Sequence, residues 1–265
     1  MNRFRARKSL GQSFLVHAPT AGRLVGALDV KPGDRVLEIG PGKGALTRLL
    51  VRHGARVTAV ELDRRLVELL REQFPPERLE VVEADFLKYE MAPGEPVKVI
   101  GNLPYNVSSQ VLFRLLESGE RWTSAVLTTQ REFADRVLAV PGTKAFGAIS
   151  VFTEVACERT RLFNIPAVRF RPKPAVVSTS FRLDRRPEPL VRPSDPDLFR
   201  RMVKTAFAQR RKTLVNNLRA GFGLEKDAAV ELLESCGVPV RARAEKVEVV
   251  TFGRLAVGLK RFLSG

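Results

Sequence analysis

The residues of this chain best suited to chemistry lie in Gly101-Asn102-Leu103-Pro104-Tyr105-Asn106. Asn102 offers a side-chain oxygen, and Leu103 and Pro104 offer main-chain carbonyls. An exocyclic adenine amine is a poor nucleophile, because its lone pair is delocalised into the ring. Two acceptors on its hydrogens, Asn102 and the Leu103 or Pro104 carbonyl, would favour a more tetrahedral and more nucleophilic nitrogen. They would also stabilise the positive charge that develops there as a methyl group arrives. Asn102 is no general base, so the proton would leave to water after transfer. Tyr105 offers a ring on which a base can stack, worth roughly 1–3 kcal/mol in single-strand binders. Pro104 restricts the turn and adds no competing donor. A proline turn with an incidental aromatic is the competing reading.

A second set of residues points to a nucleoside-bearing cofactor. Glu38-Ile39-Gly40-Pro41-Gly42-Lys43-Gly44 is a G-x-G-x-G turn, in which Gly40 and Gly42 let the backbone approach a ligand closely. It is neither the G-x-G-x-x-G of dinucleotide binders nor a Walker loop. Glu61 ends the next apolar run, where a carboxylate can accept hydrogen bonds from both hydroxyls of a ribose. A dinucleotide enzyme could use Glu61 in the same way. Asp85 follows a third run and could accept from an adenine amino group, with Phe86 covering the ring face. Each feature alone is weak; together they fall at successive strand ends, where open α/β sheets bind ligands.

The elements that must position these residues follow from periodicity. Arg35–Ile39, Val57–Val60, Leu79–Val82 and Val97–Ile100 read as strands, and Ala45–Val51 as a helical run. Asp63 is placed to cap a helix running to about Gln73, which Pro75-Pro76 stops. This alternation predicts an α/β fold with a mainly parallel sheet and helices on both faces. Charge and proline between Asp184 and Pro196 mark a linker. Beyond it, Asp197–Phe207, Arg211–Leu218, Lys226–Cys236 and Val249–Phe262 read as short helices. The expected division is a Rossmann-like domain over 1–184 and a small all-helical domain over 190–265.

The composition narrows the partners. In 265 residues, 45 basic and 29 acidic side chains give a net charge of +16, which concentrates polyanions at the surface and favours a nucleic-acid partner. Arg3, Arg5, Arg7 and Lys8, Arg169 and Arg171 around Phe170, and Arg210-Arg211-Lys212 are the candidate phosphate contacts. No apolar run is long enough to span a bilayer, so no membrane is expected. Two cysteines and two histidines argue against a disulfide framework and a metal site, and a reducing cytoplasm is expected.

Taken together, these motifs closely resemble the ribosomal RNA adenine N6-dimethyltransferases that act on the small subunit. The resemblance spans nearly the whole chain. It rests on Lys8-Ser9-Leu10-Gly11-Gln12-Ser13-Phe14-Leu15, the Glu38–Gly44 loop, Glu61-Leu62-Asp63, Asp85 and the Gly101–Asn106 loop. Phe170-x-Pro172-x-Pro174-x-Val176-x-Ser178 and Ala206-Phe207-Ala208-Gln209-Arg210-Arg211-Lys212-Thr213-Leu214 extend it. It implies a class I methyltransferase fold using S-adenosyl-L-methionine to dimethylate two adjacent adenosines in a hairpin loop near the 3′ end of 16S ribosomal RNA, with a role in small-subunit biogenesis. It implies that Gln12–Leu15 cover the methionine end of the cofactor, with Ser13 and Leu15 among the contacts. Gly40, Glu61, Asp85 and Asn102 match cofactor positions, and Tyr105 and Phe170 match aromatics that sandwich the extruded adenine. The family usually has asparagine where this chain has Ser13, whose shorter side chain reaches less far. A macrolide-resistance type of large-subunit dimethyltransferase, a non-catalytic assembly factor and an NAD enzyme are the alternatives. A monomer acting on the assembling small subunit is the expected working form.

Overall fold

The computed structural model describes Arg7 and residues 10–263. Arg3, Arg5, Lys8 and Ser9 lie outside the described residues. The described residues form two compact units: those up to Ala134 together with Arg159–Arg185, and Asp135–Glu158 together with those from Arg186 onward.

In the first unit, chain order gives β1 (Phe14–Leu15), α1 (Ala18–Ala27), β2 (Arg35–Ile39), α2 (Thr47–Arg52), β3 (Arg56–Glu61), α3 (Arg64–Gln73), β4 (Leu79–Glu83), β5 (Val97–Asn102), α4 (Ser108–Glu117) and β6 (Trp122–Gln130). After α5 (Arg131–Val137) and α6 (Ala148–Ala156) come β7 (Cys157–Ile165), β8 (Phe170–Arg171) and β9 (Ser178–Arg185). The main sheet has the order β4-β3-β2-β5-β6-β9-β7, and β1 pairs with β8 apart from it. From β4 through β6 the strands are parallel, whereas β9 runs antiparallel to β6.

The chain leaves β2 toward one edge through β3 and β4, then returns to place β5 on the other side of β2. That reversal is where open α/β sheets leave a crevice at the carboxyl ends of their strands. Val36, Leu37, Glu38 and Ile39 of β2 are all buried, as expected for a central parallel strand covered on both faces. Helix α3 buries Leu66, Val67 and Leu70 on one stripe, and the Asp63 side chain caps it by accepting from the Arg65 amide at 3.3 Å.

The second unit contains α6, α7 (Pro196–Ala206), α8 (Leu214–Phe222), α9 (Lys226–Ser235) and α10 (Val249–Leu263). Its core gathers Met202, Val203, Leu218, Leu232, Phe252 and Leu255. The sequence reading placed residues 135–158 with the sheet. Instead Phe146 and Val151, both fully buried, enter this helical core, so the segment clusters with the helices. Helix α8 also starts three residues later than its apolar pattern suggested. Gln209–Lys212 make a turn closed by the Lys212 amide on the Gln209 carbonyl at 3.0 Å, and Thr213 then caps the helix.

Candidate functional site

The ends of β2, β3 and β5, the turn after β4 and the strap Leu10–Leu15 surround one cleft. Ser13, Leu15, Gly40, Gly42, Glu61, Asp85, Phe86, Asn102, Leu103, Pro104 and Tyr105 all line it. The glycine turn explains part of the shape. Gly42 has φ +58°, and a Cβ there would sit 2.8 Å from the Phe14 ring. Gly40, at φ +64°, has no heavy atom within 4 Å of where a Cβ would stand, so the turn keeps an open side.

Glu61 is 7% exposed and ties the cleft together. Its Oε2 accepts from the Gly42 amide at 3.2 Å and its Oε1 from the Asp63 amide at 2.9 Å. Each oxygen keeps a further lone pair for a ligand hydroxyl. Burial raises this carboxyl, and the amides of Asp63, Gly42 and Leu62 oppose that rise. Asp85 accepts the Leu87 amide on Oδ1 at 2.9 Å. Phe86 is buried beside it and stacks on Tyr89 with centroids 6.3 Å apart.

Glu38, quoted with the glycine turn but not assigned a role there, also lines the cleft. It is 1% exposed, accepts the Thr47 hydroxyl on Oε2 at 2.6 Å, and leaves Oε1 buried without a hydrogen-bond partner. Burial lifts its carboxyl to about 7, against the pull of Thr47 and with a further push from Glu61. The unfolded carboxyl ionises near 4.5, so the folded state resists losing the proton that the unfolded chain releases. Stability is therefore expected to fall as pH rises between those values. Glu38→Gln should remove that component, which urea midpoints at about pH 5 and about pH 8 measure in both proteins. An unchanged pH dependence in the variant would place the effect elsewhere.

The Asn102 amide nitrogen donates to the Ser13 carbonyl at 2.9 Å, and its Oδ1 is buried without a hydrogen-bond partner. The Leu103 amide donates to the Thr128 carbonyl at 2.9 Å, fixing the loop to β6. The Pro104 carbonyl accepts the Ser108 hydroxyl at 2.9 Å and the Val107 amide at 3.2 Å. Of the two main-chain acceptors the sequence left open, Pro104 is thus committed to the start of α4. The Tyr105 hydroxyl bonds the Ser178 hydroxyl at 2.6 Å, which pins the ring, and burial raises its pKa.

Phe170 meets a different placement, and Ser13 and two of the arginines make contacts the sequence did not indicate. Phe170 does not line the cleft. It is 1% exposed and belongs to the hydrophobic core, because β8 pairs with β1 in a register that sets Phe170 opposite Leu15. The Ser13 hydroxyl donates to the Pro172 carbonyl at 2.9 Å, so the strap meets Asn102 through its main chain. Among the candidate phosphate contacts, the Arg210 guanidinium donates to the carbonyls of Lys144 and Phe146, and Arg171 donates to those of Val168 and Phe170. Arg211 and Lys212 are exposed, and Arg169 is half-buried. No three His, Cys, Asp or Glu side chains gather as a metal site, and no helix is long and apolar enough to cross a membrane, among the described residues.

Residues 3–256 match the family model described as ribosomal RNA adenine dimethylase. The chain is 42% identical over 260 residues to the ribosomal RNA small subunit methyltransferase A of Geobacter metallireducens, covering 95% of this chain and 94% of that protein. The protein of the same name from Acidithiobacillus ferrooxidans is 40% identical over 256 residues, with 95% and 94% covered. Among solved structures, the 23S rRNA methyltransferase ErmE superposes with a TM-score of 0.70 at 31% identity over 93% of this chain and 99% of that one. A dimethyladenosine transferase from Plasmodium falciparum superposes with a TM-score of 0.82 at 23% identity, over 94% and 98%, and shares the fold.

Proposed function

The chain belongs to the ribosomal RNA adenine dimethylase family, and from that membership and the geometry of the cleft we propose that it transfers methyl groups from S-adenosylmethionine to N6 of adenosines in ribosomal RNA. The proposed substrate is two adjacent adenosines in a hairpin loop near the 3′ end of small-subunit RNA, met in the assembling subunit in the cytoplasm. The names of the relatives at 42% and 40% identity favour the small subunit over the large-subunit alternative at 31%.

The observation that carries the reading is the buried, unpartnered Oδ1 of Asn102 at the cleft. A buried acceptor without a partner costs about 1–3 kcal/mol, so the fold holds it there for a ligand donor. S-adenosylmethionine fits the surrounding residues: Glu61 has lone pairs for a ribose diol, Asp85 for an adenine amine, and the turn is open at Gly40. Bound there, it supplies an electrophilic methyl carried on a sulfonium.

The chain's own residues do the rest. Asn102 Oδ1 accepts one hydrogen of the target amine and the Leu103 carbonyl accepts the other, while both stabilise the charge that grows on nitrogen. Tyr105 stacks on the base with its hydroxyl tethered to Ser178. Phe170 lies in the core of this structure, so of the two aromatics expected to sandwich the base Tyr105 is the one that lines the cleft. Extruding a stacked base costs a few kcal/mol, which favours a loop target. After one transfer the nitrogen keeps a hydrogen and rotates for the second. Arg211 and Lys212 contact phosphates, and replacing both with alanine is expected to lower the salt slope of RNA binding by about two. A slope equal to that of the parent would remove them from the interface.

Labelled methyl transfer to unmethylated small subunits, with large subunits in parallel, tests the proposal. It expects label in the small subunit alone, as N6,N6-dimethyladenosine. Label in the large subunit would move the chain to the other substrate, arrest at monomethyladenosine would refute two transfers, and binding without label would leave an assembly factor.

A further inference from the structure

The strap over the cleft is held by a hydrogen-bond network centred on Asp63, which joins the cofactor contact Glu61 through the Asp63 amide. Gln12 Nε2 donates to Asp63 Oδ2 at 2.9 Å, and Gln12 Oε1 accepts the Arg7 amide at 2.7 Å. The Asp63 side chain is fully buried. Arg65 grips it through Nη2 on Oδ2 at 2.6 Å and Nε on Oδ1 at 3.0 Å, and the Arg7 guanidinium stands 3.9 Å from Oδ1. These contacts hold the Asp63 carboxyl down at about 2, so it remains an ionised acceptor. The Asp63 amide meanwhile donates to Glu61. The turn after β3 therefore fastens the residue adjacent to Ser13.

Ser13 is where the strap touches the reacting end of the cleft. Its carbonyl accepts the Asn102 amide nitrogen at 2.9 Å. An asparagine amide can present either its oxygen or its nitrogen to a ligand, and only the oxygen can accept from an amine. The Ser13 carbonyl holds the nitrogen and so turns the oxygen inward. The strap also lies against the loop at Gly11, where a Cβ would begin 2.7 Å from Asn106 Oδ1.

We propose that Gln12, latched to Asp63, is a positioning residue that sets the orientation of the Asn102 amide through the Ser13 carbonyl. This deepens the methyl-transfer reading and rests on it. Gln12 acts through Asn102, so its loss lowers turnover more than it weakens cofactor binding.

Two variants test it: Gln12→Ala, which removes the latch, and Gln12→Glu, which sets two carboxylates together. Gln12→Ala is expected to lower kcat about tenfold or more, with a smaller rise in the S-adenosylmethionine Kd. Gln12→Glu should do worse. Equal falls in kcat and affinity would overturn the proposal. A second readout is independent of turnover: the Asn102 side-chain amide resonances, identified by their absence in Asn102→Ala, should be protected from hydrogen exchange in the parent and lose protection in Gln12→Ala. If the parent transfers no methyl group, the functional reading fails while this signal still decides the latch. Protection unchanged in Gln12→Ala would refute it.

Discussion

Asn102→Ala is expected to slow methyl transfer by about a hundredfold or more while the protein stays folded. The side chain sits at the end of β5 and is only half-buried, so its truncation opens little core volume. What it removes is the acceptor that polarises the target amine. That interaction strengthens as positive charge develops on nitrogen, so its loss falls on the rate of the chemical step more than on binding. The variant also leaves the Ser13 carbonyl without its donor, which loosens the strap and adds a smaller penalty in cofactor affinity. Asn102→Asp separates the two effects. A carboxylate can accept from the amine but cannot donate to the Ser13 carbonyl, so it should fall between the parent and the alanine variant. Single-turnover rates at saturating cofactor and RNA, with thermal melting alongside, are the measurement. An alanine variant within about threefold of the parent rate would remove Asn102 from the chemistry.

The residues that build this site differ in how far their positions could be read from sequence, for physical reasons. The parallel strands were legible because both faces of β2 and β3 are buried, which writes an almost unbroken apolar run. Asp63 and Pro75-Pro76 punctuate α3 so clearly that its limits follow. Strand β9 was not legible. Ser178, Thr179 and Ser180 are fully buried hydroxyl residues where a strand pattern expects apolar ones. That same polarity supplies Ser178 to Tyr105, a contact spanning 73 residues that no local period reports. Glu38 was hidden for the related reason that a carboxylate inside a strand reads as a surface residue, whereas its burial and unpartnered oxygen emerge only in three dimensions. The motif around Phe170 was visible, but the pairing of β8 with β1 that turns its ring into the core was not. The helical segment 148–156 was missed because its core partners lie beyond residue 198.

Glu61→Ala is expected to weaken S-adenosylmethionine binding about a hundredfold, with the transfer rate at saturation changed far less. Hydrogen bonds to a charged acceptor contribute about 1.5–3 kcal/mol each, and two ribose hydroxyls on one buried carboxylate account for a loss of that size. Part of the loss is indirect. Glu61 also holds the amides of Gly42 and Asp63, so the alanine variant frees the glycine turn and the anchor of the strap. A cofactor analogue lacking the ribose 2′-hydroxyl separates the direct part, because removing either partner of one contact should make removal of the other inconsequential. The parent should discriminate against that analogue, and Glu61→Ala should bind both forms nearly equally. The acceptor must be ionised to take two hydroxyl protons, and burial raises its pKa. Affinity in the parent is therefore expected to fall as pH is lowered toward that raised value, and the dependence should be absent in the variant. If Glu61→Ala discriminates against the deoxy analogue as strongly as the parent, the ribose lies elsewhere and the turn alone explains the loss of binding.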